Sequence, residues 1–250
     1  AEVLGGVLAS GLLQVCHGGA PQLIAQQVIQ HHRHIACYLW IAAQAEQVKV
    51  NDALTVINGI VKIVLDQGIA FDISKDLKAL AQSYKAFDFT VLETFFLERM
   101  YQFFDVNPSI ITAVISSGER DIVKLSQKIK ALAAIVQDDG FKEMFSTFKR
   151  VANIIKNMDI SVETPVDEKL FDNSYEKDLY SAFKTTITKH YDSFEENLDA
   201  LFALKPQIDA FFDNVMVNTE DLSVRANRQN LIASVYNAFK SIADIKEISI

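Results

Sequence analysis

Arg225, Asn227 and Arg228 fall within one turn's length of chain in the run VNTEDLSVRANRQN, directly after the acceptors Asn218, Thr219 and Asp221. A guanidinium carries a rigid fork of donors, and an amide carries donors beside an acceptor. The trio therefore suits recognition of phosphates or base edges rather than bond-making chemistry. A second set, Lys142, Ser146, Lys149, Asn153 and Lys156, recurs every three or four residues, and Arg150 flanks it. On a helix that spacing draws the cations into one line, which could track phosphates. Spacing alone leaves a second reading open for both sets. The arginines could pair with Glu220 and Asp221 and cap a bundle, and the lysines could form a solvated face.

Catalytic chemistry has no comparable set of residues. The chain contains no phosphate-cradling glycine loop, no nucleophile with a base beside it and no recognisable carboxylate pair, so no catalytic residue is expected. Cys16, His17, His31, His32, His34 and Cys37 are residue types that zinc prefers. They lack a paired CxxC spacing, however, and His31 lies on an apolar stripe, where a hydrogen-bonded histidine is the ordinary occupant. No metal site is expected, and a metal-dependent enzyme is the weakest of the possible readings. Glu98 and Arg99, inside the aromatic run FFLERMYQFF, read as a buried arginine stem with a paired head.

The elements that must position these side chains are helical. Four prolines and nine glycines in 250 residues leave few turns, and half of the residues are apolar, so an all-α multi-helix bundle is expected. Asn218, Thr219 and Asp221 can cap a helix starting near residue 220. Along it Val224, Arg228, Leu231, Val235, Ala238 or Phe239, and Ile242 mark a face that is continuous and apolar only in its second half. Upstream, a helix from Asn51 stops at Gly68, and Asp72 or Ser74 caps Leu77 to Tyr84. Thr90 with Glu93 has capping-box spacing ahead of Phe95, Phe96, Met100 and Phe103. Asn107 and Pro108 open a short helix, and the next carries Ile122 to Ile135 with Lys124, Lys128 and Lys130 outside. The helix Phe141 to Asn157 bears the lysine line opposite Phe141, Phe145, Phe148, Ala152 and Ile155. Asp159 to Asp167 reads as a hinge, His190 as a surface histidine, and Lys205–Pro206 as the start of a further helix.

The net charge of −8, from 24 basic and 32 acidic residues, argues against non-specific adhesion to nucleic acid or to an anionic membrane. Any contact with RNA must then be a local patch. Two cysteines without spaced partners fit a reducing cytosol, and the apolar run Ile35 to Ala43 is too short to span a bilayer. Residues 1–50 differ from the rest, with four of the five histidines, seven glutamines and four charged residues, whereas all 17 phenylalanines follow residue 70. The first residue is alanine, which suggests a processed chain or one cut from something longer.

Four segments carry a family resemblance in order and spacing. They are FFLERMYQFF at 95–104, FKRVANIIKN at 148–157, EKDLYSAF at 176–183, and FFDNVMVNTEDLSVRANRQNLIASVYNAFKSIADI from Phe211. Together they resemble the C-terminal portion of the β subunit of the bacterial heterotetrameric glycyl-tRNA synthetase, over roughly residues 58 to 250. The resemblance does not extend to the first 55 or so residues. Leu54, Thr55 and Val56 stand near the position of a paired-arginine segment, and no histidine–aspartate pair lies upstream.

The apolar stripe after Pro21 makes 1–55 a helical segment of unclear origin, and the resemblance implies a helical body at 56–158 and an anticodon-binding-type bundle at 167–250, or one continuous domain formed by the two. It implies a non-catalytic, cytoplasmic, tRNA-binding part of a ligase. Its partners would be glycine tRNA, the α subunit and the rest of the β subunit, with no membrane. ATP and magnesium would be used by the complete enzyme, with no cofactor in this chain. The RNA contacts it implies are Arg225, Asn227, Arg228, Lys149, Arg150, Asn153 and Lys156. The alternative is a helical protein-interaction or structural domain, separable by the salt dependence of binding.

Overall fold

The computed structural model describes residues 50–81, 89–137, 140–156 and 165–249. The cysteine–histidine cluster, nearly all of segment 1–55 and most of the 159–167 connection lie outside the described residues. All regular elements within them are helical, and no described helix is long and apolar enough to cross a membrane. The chain forms two compact units that divide at Arg99–Met100. The division therefore lies inside a helix and not at the polar connection 159–167.

In the first unit, helix α1 (Val50–Gln67) buries Ile57, Ile60, Val61 and Val64. It ends at Gly68, whose φ of 63° is open to glycine and strained for other residues. There the Ile69 N–H closes the last turn on the Val64 carbonyl at 3.1 Å. Helix α2 (Ile73–Ala81) starts with a reciprocal cap. The Asp72 carboxylate accepts the Lys75 N–H at 2.7 Å and the Asp76 carboxylate accepts the Asp72 N–H at 2.8 Å. Helix α3 (Phe89–Phe103) begins before Thr90, so the Thr90–Glu93 pair is not its cap. Glu93 instead accepts the Ser74 hydroxyl at 3.0 Å, linking α3 to α2, while Phe96 packs 6.3 Å from Phe71. Arg99 lies over the Phe95 ring at 5.0 Å and pairs with Glu98 at 3.7 Å.

The second unit opens with α4 (Pro108–Ser116), whose first turn is shaped by Pro108 and capped by Asn107. It continues through α5 (Ile122–Val136), α6 (Phe141–Ile155), a 3-10 turn at Glu168–Leu170, and α7 (Ser174–Thr188). Helices α8 (Phe194–Phe202), α9 (Lys205–Asn214) and α10 (Leu222–Lys240) complete it, with a last 3-10 turn at Ile245–Glu247. Helix α5 packs on α8, α6 on α10 and α7 on α9. Phe148, Phe202 and Phe239 meet where α6, α8 and α10 converge, with ring centroids 4.5 to 5.1 Å apart. Such aromatic pairs add about 0.5–1.5 kcal/mol each beyond the area they bury.

Lys128 corrects the expectation for α5, because it lies inside and not with Lys124 and Lys130. Its ammonium donates to the Ser241 carbonyl at 2.8 Å, at the C-terminus of α10, and sits 3.0 Å from Glu119. A cation there satisfies a carbonyl that the helix itself leaves free. Close by, the buried Tyr236 hydroxyl donates to Asp244 at 2.7 Å, and the Asp244 N–H donates to the Ala113 carbonyl at 2.8 Å. Burial, reinforced by the Asp244 carboxylate, pushes the Tyr236 phenol up.

Burial works to raise the Glu119 carboxyl, but the Asp121 N–H, the Lys128 ammonium and the Arg120 N–H outweigh it and hold the group below its ordinary 4.5. A depressed carboxyl stabilises the fold above its unfolded value, and that contribution is lost as pH falls through the folded one. Lys128→Met should therefore lower the unfolding free energy by about 1–3 kcal/mol at neutral pH. It should also shrink the loss of stability on acidification below that 4.5, as read by urea titration across pH.

Candidate nucleic-acid interface

Arg228 occupies a position on the buried stripe of α10 where an apolar residue would be ordinary, and it is buried. Its Nε donates to the fully buried Glu176, Nη2 to Asp172 at 3.0 Å, and Nη1 to the Met216 carbonyl at 3.0 Å. The other oxygen of Glu176 accepts the Asp172 N–H at 2.7 Å and, more weakly, the Asn173 N–H at 3.4 Å. Glu176 thus belongs at once to the capping box of α7 and to the guanidinium of α10. A buried ion pair is tolerable only when its remaining donors and lone pairs are met in this way.

Asn227 is also buried, and its amide makes a two-way clamp on Asp167. Its Nδ2 donates to the Asp167 carbonyl at 2.9 Å and its Oδ1 accepts the Asp167 N–H at 2.8 Å. Arg225 is half-buried and spends only its Nε, on the Thr219 carbonyl at 2.7 Å. Asp221 caps α10 by accepting the N–H groups of Ser223 and Val224, so neither arginine pairs with it or with Glu220. The three side chains are therefore not equivalent. Asn227 and Arg228, expected as contacts, have their donors turned inward and fix the 215–221 loop and the start of α10. The two terminal amino groups of Arg225 make no hydrogen bond to a described residue.

The line on α6 has the opposite character. Lys142, Ser146, Lys149, Asn153 and Lys156 are all exposed, while Phe141, Phe145, Phe148, Val151 and Ile155 face the core. Glu143, the one acid on this helix, turns to Lys205 at 3.6 Å. No described carboxylate lies within ion-pairing distance of Lys142, Lys149 or Lys156. The Lys149 ammonium rests 4.9 Å from the Phe145 ring. Arg150 is partly engaged, 4.8 Å over the Phe212 ring and 3.6 Å from the exposed Asp213.

The helix itself is fastened from beneath. The Thr147 hydroxyl donates to Asp209 at 2.6 Å, and Lys205 donates to the same carboxylate at 2.8 Å. Burial favours raising the Asp209 carboxyl, but these two partners prevail and hold it below its usual range. Among the described residues, no group of three or more histidines, cysteines or acids could hold a metal ion. Reasoning from sequence overlooked Glu176, Asp172 and Asp167 as partners of the trio. The Asn-x-x-Glu spacing of Asn173 and Glu176 marks a capping box, and that signal was available for Glu176.

The sequence profile of the DALR anticodon binding domain matches residues 144–250, a range that takes in most of α6 and all of α10. The chain is 38% identical over 199 residues to the glycine–tRNA ligase β subunit of Helicobacter pylori (strain G27), covering 77% of this chain and 28% of that protein. It is 28% identical over 212 residues to the β subunit of Solidesulfovibrio magneticus, covering 77% of this chain and 30% of the relative. The corresponding protein of Streptococcus gordonii is 36% identical over 157 residues, covering 62% and 22%. The chain therefore spans less than a third of the length of these curated relatives.

Removing the guanidinium should expose what it holds. Arg228→Ala leaves the buried Glu176 short of its partner, so a stability loss of about 3–5 kcal/mol is expected in urea unfolding. Arg228→Lys should recover little, because the donors of an ammonium radiate from one nitrogen and cannot reach acceptors that Nε, Nη1 and Nη2 meet separately. An Arg228→Ala protein as stable as the parent would remove Arg228 from this anchoring role.

Proposed function

Because the chain belongs to the family of glycine–tRNA ligase β subunits, as a counterpart of their C-terminal portion with a DALR anticodon binding domain, we propose that it engages the anticodon region of glycine tRNA. The observation that carries this reading is the row of exposed lysines on the outer face of α6 with no described carboxylate within ion-pairing distance, in a chain whose net charge is −8. Lys142, Lys149 and Lys156 stand seven residues apart in turn, which sets them about 10.5 Å apart along the helix axis. Such a row positions a phosphate backbone without reading sequence. Asn153 adds an exposed amide between two of the lysines, and Arg150 contributes once Asp213 yields it. Arg225, with two free amino groups beside a rigid loop, is suited to a phosphate or a guanine edge. Asn227 and Arg228 serve this surface by holding it in place.

In this reading the chain supplies recognition and no chemistry. Attachment of glycine, with its ATP and magnesium, is carried out by the complete enzyme at the α subunit, and the chain works in the cytoplasm alongside that subunit and the rest of the β subunit.

Binding of the full chain to glycine tRNA transcripts at two salt concentrations tests the proposal. Affinity should fall steeply with salt. Lys149→Ala/Lys156→Ala should weaken binding to native and altered anticodons alike and reduce the log–log salt slope by about 1.4 for two lost single-strand phosphate contacts. Binding that ignores salt, or none at low salt, would replace this reading with that of a packing or protein-interaction domain.

A further inference from the structure

A groove of about 560 Å³ opens between the end of α7, the following turn, α8 and the second half of α10, away from the residues assigned above. Its size falls within the range of small-molecule sites, roughly 300–1,000 Å³. Phe183 and Leu201 form an apolar floor, and Ile187 remains 51% exposed at the mouth. The Tyr191 ring lines one wall, and its hydroxyl is held by donation to the Thr186 carbonyl at 3.0 Å. None of the described lining residues is acidic, whereas the neighbouring groove between α7 and α9 carries Asp178.

The polar groups are what set this groove apart. Asn197 and Asn237 are half-buried in its wall, and their amides make no hydrogen bond to any described residue. Asn237 lies in the last turn of α10, three residues before its end at Lys240, and its side chain does not cap that helix. Lys189 sits at the rim, 5.4 Å from the Tyr191 ring, with no described carboxylate within ion-pairing distance. Flat apolar and aromatic surface, amides with both donors and acceptors, and a lone cation are together what an unstacked base and its phosphate require. A protein helix seated here would leave both amides unpaired, which makes it the poorer occupant.

We propose that this groove receives one unstacked base of the RNA loop, with Asn197 and Asn237 meeting its hydrogen-bonding edge, Tyr191 and Ile187 its flat face, and Lys189 the adjoining phosphate. The inference rests on the tRNA-binding reading. It assigns base discrimination to α8 and α10, and leaves backbone positioning to α6.

The test compares the full chain with Asn197→Ala, Asn237→Ala and Lys149→Ala/Lys156→Ala, using glycine tRNA transcripts bearing the native loop or single base substitutions in it. Each asparagine variant should bind the native loop about tenfold more weakly and lose the parent's preference over substituted loops, with its salt slope unchanged. Should an alanine variant misfold by circular dichroism, Asn237→Asp keeps the shape while replacing the donors, and the same loss is expected of it. If the asparagine variants keep the parent's affinity and base preference while the lysine variant weakens, the groove is not the base site although the RNA reading stands. If the parent itself binds no transcript, both readings fall. Unchanged RNA binding with weaker association to the catalytic subunit would make the groove a protein-docking surface and overturn the proposal.

Discussion

A guanidinium withdrawn from water into a helical bundle must find an acceptor in each direction in which it donates, and Arg228 finds three acceptors on two separate stretches of chain. Glu176 and Asp172 come from the start of α7, and the Met216 carbonyl comes from the loop ahead of α10. Because the guanidinium is planar and rigid, satisfying it fixes these stretches relative to one another. Asn227 extends the constraint to Asp167 by its two-way amide clamp. The loop ahead of α10, whose Thr219 carbonyl holds Arg225, is consequently braced from inside.

The far end of α10 follows the same rule with different residues. Lys128 arrives from α5 to meet the last carbonyls, and Tyr236 and Asp244 bind the closing turn back to α4. Between these two polar anchors, Phe239 packs against Phe148 of α6 and Phe202 of α8. Helix α6, which carries the lysine row, is thus seated on an element pinned at both ends. Recognition groups on rigid helices hold their spacing better than groups on loops, and contact with a phosphate backbone depends on that spacing.

Cations in this chain serve two separate purposes. Lys128 and Arg228 are sunk against carboxylates and carbonyls, whereas Lys142, Lys149 and Lys156 face water with no described acid opposite them. The separation reconciles a net charge of −8 with the proposed binding to a polyanion. Attraction is local, while the acidic remainder repels non-specific contact.

The helices themselves were legible because apolar period and caps are local. Gly68, Asp72, Asn107, Pro108 and Asp221 end or begin elements where their chemistry predicts, and the phenylalanine stripe of α6 faces inward. The exposure of the lysine row follows from that same period. What the sequence by itself determined was therefore the all-α class, the helix starts and the outward line of α6. Only the tertiary structure decided which polar residues are consumed. Arg228 meets Glu176 across 52 positions, Asn227 meets Asp167 across 60, and Lys128 meets Ser241 across 113. Helical periodicity gives a side chain's direction, but not the acceptor brought to it by a distant part of the chain, so a buried anchor and an exposed contact carry the same local signature.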